Sequence, residues 1–272
     1  MVSRPTITHP RVPKLQLQQL IKGVLLMLKI CEYCHKEFET KRGHNNQRFC
    51  SKSCAVSSRF EEDEGLFRND VDDYIQKYIL GLIITDGCIT KNGDKFVICV
   101  SLKDKEMIEQ IRDIVCKTKK VYKDGNNHQV KWRNSNDISY LEKLNIAQRK
   151  TYSVGVPYFE HNMTHLIRGL FDGDGCVYND TTIDKGKKYV YQRISFTSGS
   201  EQFTNDLSKF LTNNDIQHKI NIDSRRKDCA NKTYYIKIYK KKDVQKLKSL
   251  MYEKCNEWKL QRKYDSFDKL QL

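Results

Sequence analysis

The chain has 272 residues, with 49 Lys+Arg against 34 Asp+Glu and a formal net charge of +15. Such an excess, on a chain long enough for two modest domains, points to an anionic partner, with nucleic acid the first candidate. No stretch approaches the roughly 20 apolar residues of a membrane span, and no cleavage site follows the short run Val24–Leu28, which argues against a signal peptide and predicts a soluble, intracellular protein.

Residues 1–26 lack a coherent pattern. Pro5, Pro10 and Pro13 precede a short apolar helix candidate. The segment is expected to be a disordered extension, or an untranslated one if Met27 is the true start. Residues 27–56 hold "CEYCHKEFETKRGHNNQRFCSKSC": Cys31-x2-Cys34, fifteen residues, then Cys50-x3-Cys54. Two such knuckles predict a structural Zn²⁺ site, because four thiolates close a tetrahedron and leave no open position. A module this small has little core, so the metal would supply its folding energy. His35 and His44 are alternative ligands, read here as surface residues. The other six cysteines are scattered, which suits a reducing compartment. Lys36, Lys41, Arg42, Arg48 and Lys52 make the module basic, fit for DNA or protein contact. Ser57–Asp70 carries an acidic patch, and 57–70 is expected to be a solvated linker.

An internal duplication follows. "YILGLIITDG" (78–87) aligns with "LIRGLFDGDG" (166–175), and each is followed by Cys (Cys88, Cys176). Next, 97–115 aligns with 193–211, and 130–144 with 236–250, in the same order. The repeats span 71–152 and 153–272. Each predicts helix, two strands, helix, two strands, helix, hence an α+β fold. Asn92-Gly93 and Asp124-Gly125 mark hairpins in the first repeat. In the second, the corresponding hairpins are expected to be longer, around Asn179–Lys188 and Ser224–Lys232. In "VKWR" Val130 and Trp132 share one face, and Lys131 and Arg133 the other; "IKIY" sets Ile236 and Ile238 against Lys237 and Tyr239.

Gly81 and Gly169 lie in the middle of apolar helices, where glycine costs about 1 kcal/mol relative to alanine. Close backbone approach between the two helices would explain both. Their C-terminal ends would then meet and set Asp86 beside Asp174. Two carboxylates at two negative helix ends repel. A divalent cation such as Mg²⁺ would relieve the conflict. Cys88 and Cys176 are expected to be buried packing residues.

The motifs "ILGLIITDG" and "IRGLFDGDG", with the closing "LQRKYDSF" (260–267), resemble the LAGLIDADG homing endonucleases over about residues 70–264. The cysteine module resembles treble-clef-like fingers. The resemblance implies two pseudo-symmetric αββαββα repeats, whose two antiparallel sheets form a saddle over double-stranded DNA. It implies catalytic metal on Asp86 and Asp174 and a catalytic basic residue near each, nominated as Lys131 and Lys237 to stabilise charge or position water, with ordinary phosphate contact as the alternative role. The motif's sixth position, usually acidic, is Asp172 in one copy and Ile84 in the other. Base or phosphate contacts are assigned to Arg133, Tyr239, Lys240, Arg225 and Arg226. The implied protein is a monomeric, Mg²⁺-dependent, site-specific DNA endonuclease of a bacterial or phage-infected cell, with an organelle left open. Two alternatives remain at this stage: an intron-RNA-binding maturase, and a DNA-binding regulator that has lost catalysis.

Overall fold

The computed structural model describes residues 20–21, 24–25, 27–40, 46–57, 62–92, 95–223, 232–255 and 257–268. Arg225, Arg226, His44 and the turn after Asn92 lie outside them. The chain divides into two units, 1–61 and 62–272.

In the first unit β1 (Leu20–Ile21) pairs with β2 (Val24–Leu25), where a short helix was expected. The hairpin β3 (Met27–Ile30) and β4 (Glu37–Thr40) carries the first cysteine pair in its turn. Helix α1 (Lys52–Ser57) follows the second pair's first member and contains Cys54.

The second unit repeats one pattern twice. The first copy runs α2 (Asp73–Thr85), β5 (Gly87–Asn92), β6 (Lys95–Leu102), α3 (Lys105–Val115), β7 (Tyr122–Asp124), β8 (Asn127–Trp132) and α4 (Ser135–Lys143). The second runs α5 (Met163–Asp174), β9 (Cys176–Asp184), β10 (Lys187–Ser198), α6 (Glu201–Asn213), β11 (Lys219–Ile222), β12 (Tyr234–Ile238) and α7 (Lys241–Tyr252), with α8 (Gln261–Asp265) at the end. The sheets are antiparallel, in the orders β5-β6-β8-β7 and β9-β10-β12-β11. Ile98, Val100, Val130 and Trp132 fill the inner face of the first sheet, and Ile194, Phe196, Ile236 and Ile238 that of the second. This alternation leaves Lys131 and Lys237 on the outer faces.

Helices α2 and α5 pack directly on each other, and glycine is the reason they can. A methyl group added at Gly81 would lie 2.5 Å from the Leu166 carbonyl oxygen and 2.7 Å from Gly169 Cα. One added at Gly169 would overlap the Tyr78 carbonyl oxygen and reach Gly81 Cα at 2.9 Å. Each glycine meets the other, and each meets the carbonyl three residues before the other. That reciprocity is the mark of a two-fold contact.

Two local expectations are corrected. Residues 62–70 are not a solvated linker. Leu66 is fully buried, and the Leu66 and Phe67 amides donate to buried Asp137 at 2.7 and 2.9 Å. Asp63 accepts from the Arg133 amide at 2.6 Å and pairs with Lys119. Of the acidic patch, Asp63 turns inward to a backbone donor of the first repeat, while Glu62 and Glu64 stay exposed. The longer hairpin expected around Asn179–Lys188 keeps its strands paired to Asp184↔Lys187. It turns on Lys185-Gly186, both with φ above zero (49° and 76°), the requirement of a tight two-residue turn. Finally, Cys88 and Cys176 are exposed. Ile89 and Val177 take the inward positions, so strand parity sends the cysteines out.

The glycine contact yields a stability prediction. Alanine in a helix interior ordinarily gains about 1 kcal/mol over glycine. Gly81→Ala and Gly169→Ala are each expected instead to destabilise by about 1–3 kcal/mol through overpacking, measured by denaturant unfolding. A gain in stability from either would contradict the close approach.

Candidate nuclease centre and cysteine cluster

Asp86 is the C-cap of α2, its amide donating to the Leu82 carbonyl at 2.9 Å. Asp174 is the last residue of α5. A methyl added to Gly173 would fall 2.8 Å from Asp86 Oδ2, so the Asp86 carboxylate abuts the residue just before Asp174. Gly173 is thus a third glycine required by the contact, and the apolar-helix argument passed over it.

Asp86 is partly buried and Asp174 exposed. Desolvation, then the charge of Asp174, pushes Asp86 up to about 6, against the pull of Lys263, Arg262 and Lys150. Loss of hydration on its protein side also raises Asp174, opposed by Lys150 and Lys263. These are paired acids that resist carrying both charges at once.

The cations facing them are Lys150 and Lys263. Lys150 is buried in the 3₁₀ turn Lys150–Tyr152 and donates to the Ile84 carbonyl at 2.8 Å, at the end of α2. Lys263, on α8, donates to the carbonyls of Gly173 and Gly175, at the end of α5. Burial lowers the pKa of both, and the acids oppose that shift. One ammonium therefore caps each negative helix end. Sequence reasoning missed this pair, although a signal was present: Gln148-Arg149-Lys150 and Gln261-Arg262-Lys263 repeat the same tripeptide after the last long helix of each copy.

Lys131 lies opposite Cys99, itself opposite Cys88; Lys237 lies opposite Ser195, itself opposite Cys176. The two lysines occupy equivalent positions in the first outward row after each acid. Lys131 is exposed, and Lys237 sits over the Tyr235 ring at 5.8 Å. Arg133 follows β8, its amide held by Asp63. Tyr239 follows β12, with the Arg193 guanidinium 5.3 Å and the Lys219 ammonium 5.7 Å from its ring centre. Lys240 is the exposed N-cap of α7. Asp172 does not join the acids: it is fully buried. Ile84, its counterpart, is buried in the core.

In the first unit the sulfurs of Cys31, Cys34, Cys50 and Cys54 all lie within 4.8 Å of one another, a set that could hold a metal ion. Cys34 and Cys50 sulfurs are 3.6 Å apart, and Cys50 and Cys54 sulfurs 3.4 Å. Burial works against the Cys31 thiolate, but the amides of Cys34, Cys50 and Tyr33 overcome it and lower this thiol to about 6. The neighbouring sulfurs of Cys54 and Cys34 push Cys50 up to about 12. His35 is exposed, outside the cluster.

Among the described residues no helix is long and apolar enough to cross a membrane. A LAGLIDADG-like domain profile matches residues 73–151 and 162–251, one stretch per repeat. No curated protein matches. Among solved structures, the I-LtrWI LAGLIDADG homing endonuclease bound to target DNA is similar, with a TM-score of 0.52 and 13% identity over 73% of this chain and 88% of that one. The LAGLIDADG meganuclease I-AabMI bound to uncleaved DNA has a TM-score of 0.50 and 16% identity over 71% and 87%. The I-SmaMI LAGLIDADG homing endonuclease bound to cleaved DNA has a TM-score of 0.50 and 13% identity over 71% and 86%. These likenesses agree with the two four-stranded sheets and the abutting helices, and with the profile match across both repeats they make the chain a member of the LAGLIDADG-like domain family.

Proposed function

We propose that the protein is a site-specific endonuclease that hydrolyses both strands of duplex DNA. One observation carries this reading: two acids meet at abutting helix ends, each end capped by its own lysine. A helix-capping role alone would not place two carboxylates where each opposes a helix dipole and the other's charge. The solved relatives named above, one on target DNA and one on cleaved DNA, support the same reading.

Asp86 and Asp174 would hold the divalent metal, Mg²⁺ by the hardness of their oxygens. When bound, it supplies a Lewis acid for the scissile phosphates and a more acidic water. The chain's own part is charge and position. Lys150 and Lys263 face the negative charge that grows on the phosphate oxygens as water attacks phosphorus. Their lowered pKa values also make them readier donors to the departing oxygen. Lys131 and Lys237, with Arg133, Tyr239 and Lys240, would contact DNA from the outer faces; Arg225 and Arg226 are assigned the same role from sequence. Both acids come from one chain, so the centre is complete in a monomer. The unlike halves predict a non-palindromic target.

The cysteine cluster is assigned structural Zn²⁺. Zn–S bonds of about 2.3 Å put tetrahedral sulfurs about 3.8 Å apart, close to the 3.4 and 3.6 Å seen. The amides that favour the Cys31 thiolate, and the sulfurs of Cys54 and Cys34 that oppose one at Cys50, suit a cluster completed by a cation.

Asp86→Asn and Asp174→Asn are each expected to lower double-strand cleavage by more than 10³-fold while leaving gel-shift binding within about threefold, a transition-state effect only. Full cleavage by either variant would end the proposal.

Metal binding should depend on pH with a definite sign. Asp86 is raised from 3.8 to about 6. Below the upper value the free site holds a proton that metal must displace, so Mn²⁺ affinity by calorimetry should fall by up to ~10-fold per unit as pH drops through this window. Asp86→Asn should flatten that slope. The same linkage makes the metal-free protein more stable as pH falls across the window, because the folded state binds the proton more tightly.

Purified protein should contain one equivalent of zinc by mass spectrometry. Cys31→Ser should lose it and unfold the first unit while the second keeps its melting transition. Stoichiometric zinc in that variant would move the ligand set elsewhere.

A further inference from the structure

Two buried charged side chains of α5 stand outside the proposed chemistry, and both hold the same piece of chain. Arg168 donates from Nε to the Trp258 carbonyl and from Nη1 to the Met251 carbonyl, each at 2.8 Å. One helical turn later, Asp172 accepts the Tyr252 hydroxyl at 2.5 Å on Oδ1, and the Tyr78 hydroxyl at 2.8 Å and the Leu260 amide at 2.7 Å on Oδ2. Residues i and i+4 share a helix face, so the pair forms a clamp on residues 251–260. Leu260 is the N-cap of α8, and its carbonyl receives the amides of Lys263 and Tyr264 at 2.9 and 3.1 Å. The turn that carries Lys263 is thus built on the residue Asp172 holds.

The first repeat has no such device. The residues aligned with Arg168 and Asp172 are Leu80 and Ile84, both buried in the apolar core. Lys150 is fixed by its own bond to the Ile84 carbonyl. The two lysines occupy equivalent places but are held there by unlike means.

The geometry points to Asp172 as a positioning residue for Lys263, so that its loss impairs the cutting of one DNA strand and spares the other. Fully buried, Asp172 acts through the Leu260 amide and the first turn of α8. This inference rests on the nuclease reading. A carboxylate with three donors fixes an angle as well as an attachment, and a displacement of about 1 Å at a reacting centre costs as much as 10²-fold. Asp172→Asn keeps the shape but turns one acceptor oxygen into a donor facing a hydroxyl or an amide.

The test uses the full chain and a duplex selected by the wild-type protein from a randomised library, each strand end-labelled separately. Wild type should cut both strands; if it cuts neither, the nuclease reading fails and the positioning question falls with it. If it cuts both, Asp172→Asn should slow one strand by about 10–100-fold, accumulate nicked duplex, and leave the other strand within about threefold. Lys263→Ala should slow the same strand. The double variant should be no slower than Lys263→Ala alone, the sign of one shared path. Equal slowing of both strands, or full additivity with Lys263→Ala, would overturn the assignment. Should Asp172→Asn fail to fold, Tyr252→Phe removes a single donor and should give a smaller bias toward the same strand; an unbiased loss would again overturn it.

Discussion

Everything at the proposed centre depends on two backbones touching. Where Gly81 and Gly169 meet, no side chain separates α2 from α5, and Gly173 extends the contact to the Asp86 carboxylate. Close approach fixes the position of the two helix ends, which fixes the position of the two acids. It also brings together two negative dipole ends. The rest of the centre answers that accumulation of charge. Lys150 and Lys263 cap the carbonyls, the acids hold their protons more tightly than free carboxyls do, and a bound cation would complete the neutralisation. The electrostatic tension is thus a consequence of packing, and it makes metal affinity and acid pKa two readings of one geometry.

The sequence showed this central feature because it is local and repeated. A glycine in an apolar helix followed five residues later by Asp-Gly needs an explanation once, and needs it more when it occurs twice. Strand parity was equally legible: Val130 and Trp132 point inward, Lys131 outward. The lysines nearest the acids were harder to see. The tripeptide Gln-Arg-Lys sits beyond α4 and beyond α7, leading into the 3₁₀ turn in one copy and opening the five-residue α8 in the other, where no hydrophobic period aligns the copies. The route to Lys263 is also longer, running through the segment clamped by Arg168 and Asp172. The repeated tripeptide marks the two lysines as equivalent, but does not reveal, before folding, that each returns to a helix end.

Buried carboxylates were hard to foresee for a different reason, that acids read as solvent-facing. Asp63 lies in a run of acids that reads as a hinge, yet it accepts the Arg133 amide and pairs with Lys119. Asp137 takes two amides and the Trp132 indole, at 2.7–2.9 Å, and joins the incoming chain to the end of the first sheet. Asp172 does the same for the outgoing chain. In each case a carboxylate serves as the meeting point for donors from segments far apart in sequence. Such a role satisfies buried amides that would otherwise cost about 1–3 kcal/mol each, and it leaves no periodic trace.

Duplication constrains the two halves unequally. The helix contact must stay two-fold, because each glycine is the other's partner. The sheets face no such demand, and they have diverged. Strand β9 has nine residues against six in β5, and β10 has twelve against eight in β6. The outer face of the second sheet carries alternating rings and cations. Lys187 lies 5.7 Å from the Tyr189 ring, Tyr189 stacks with Tyr191 at 6.4 Å, and Arg193 lies 4.8 Å from Tyr191. The described outer face of the first sheet sets Lys95, Tyr122, Thr90, Val97, Ser101 and Gln129 around Lys131, a single ring in place of a stacked run. A symmetric centre between asymmetric surfaces is what the proposed cutting of two unlike half-sites by one chemistry would require. The Arg168–Asp172 clamp carries the same asymmetry inward to the lysines, where equivalent positions no longer imply equivalent support.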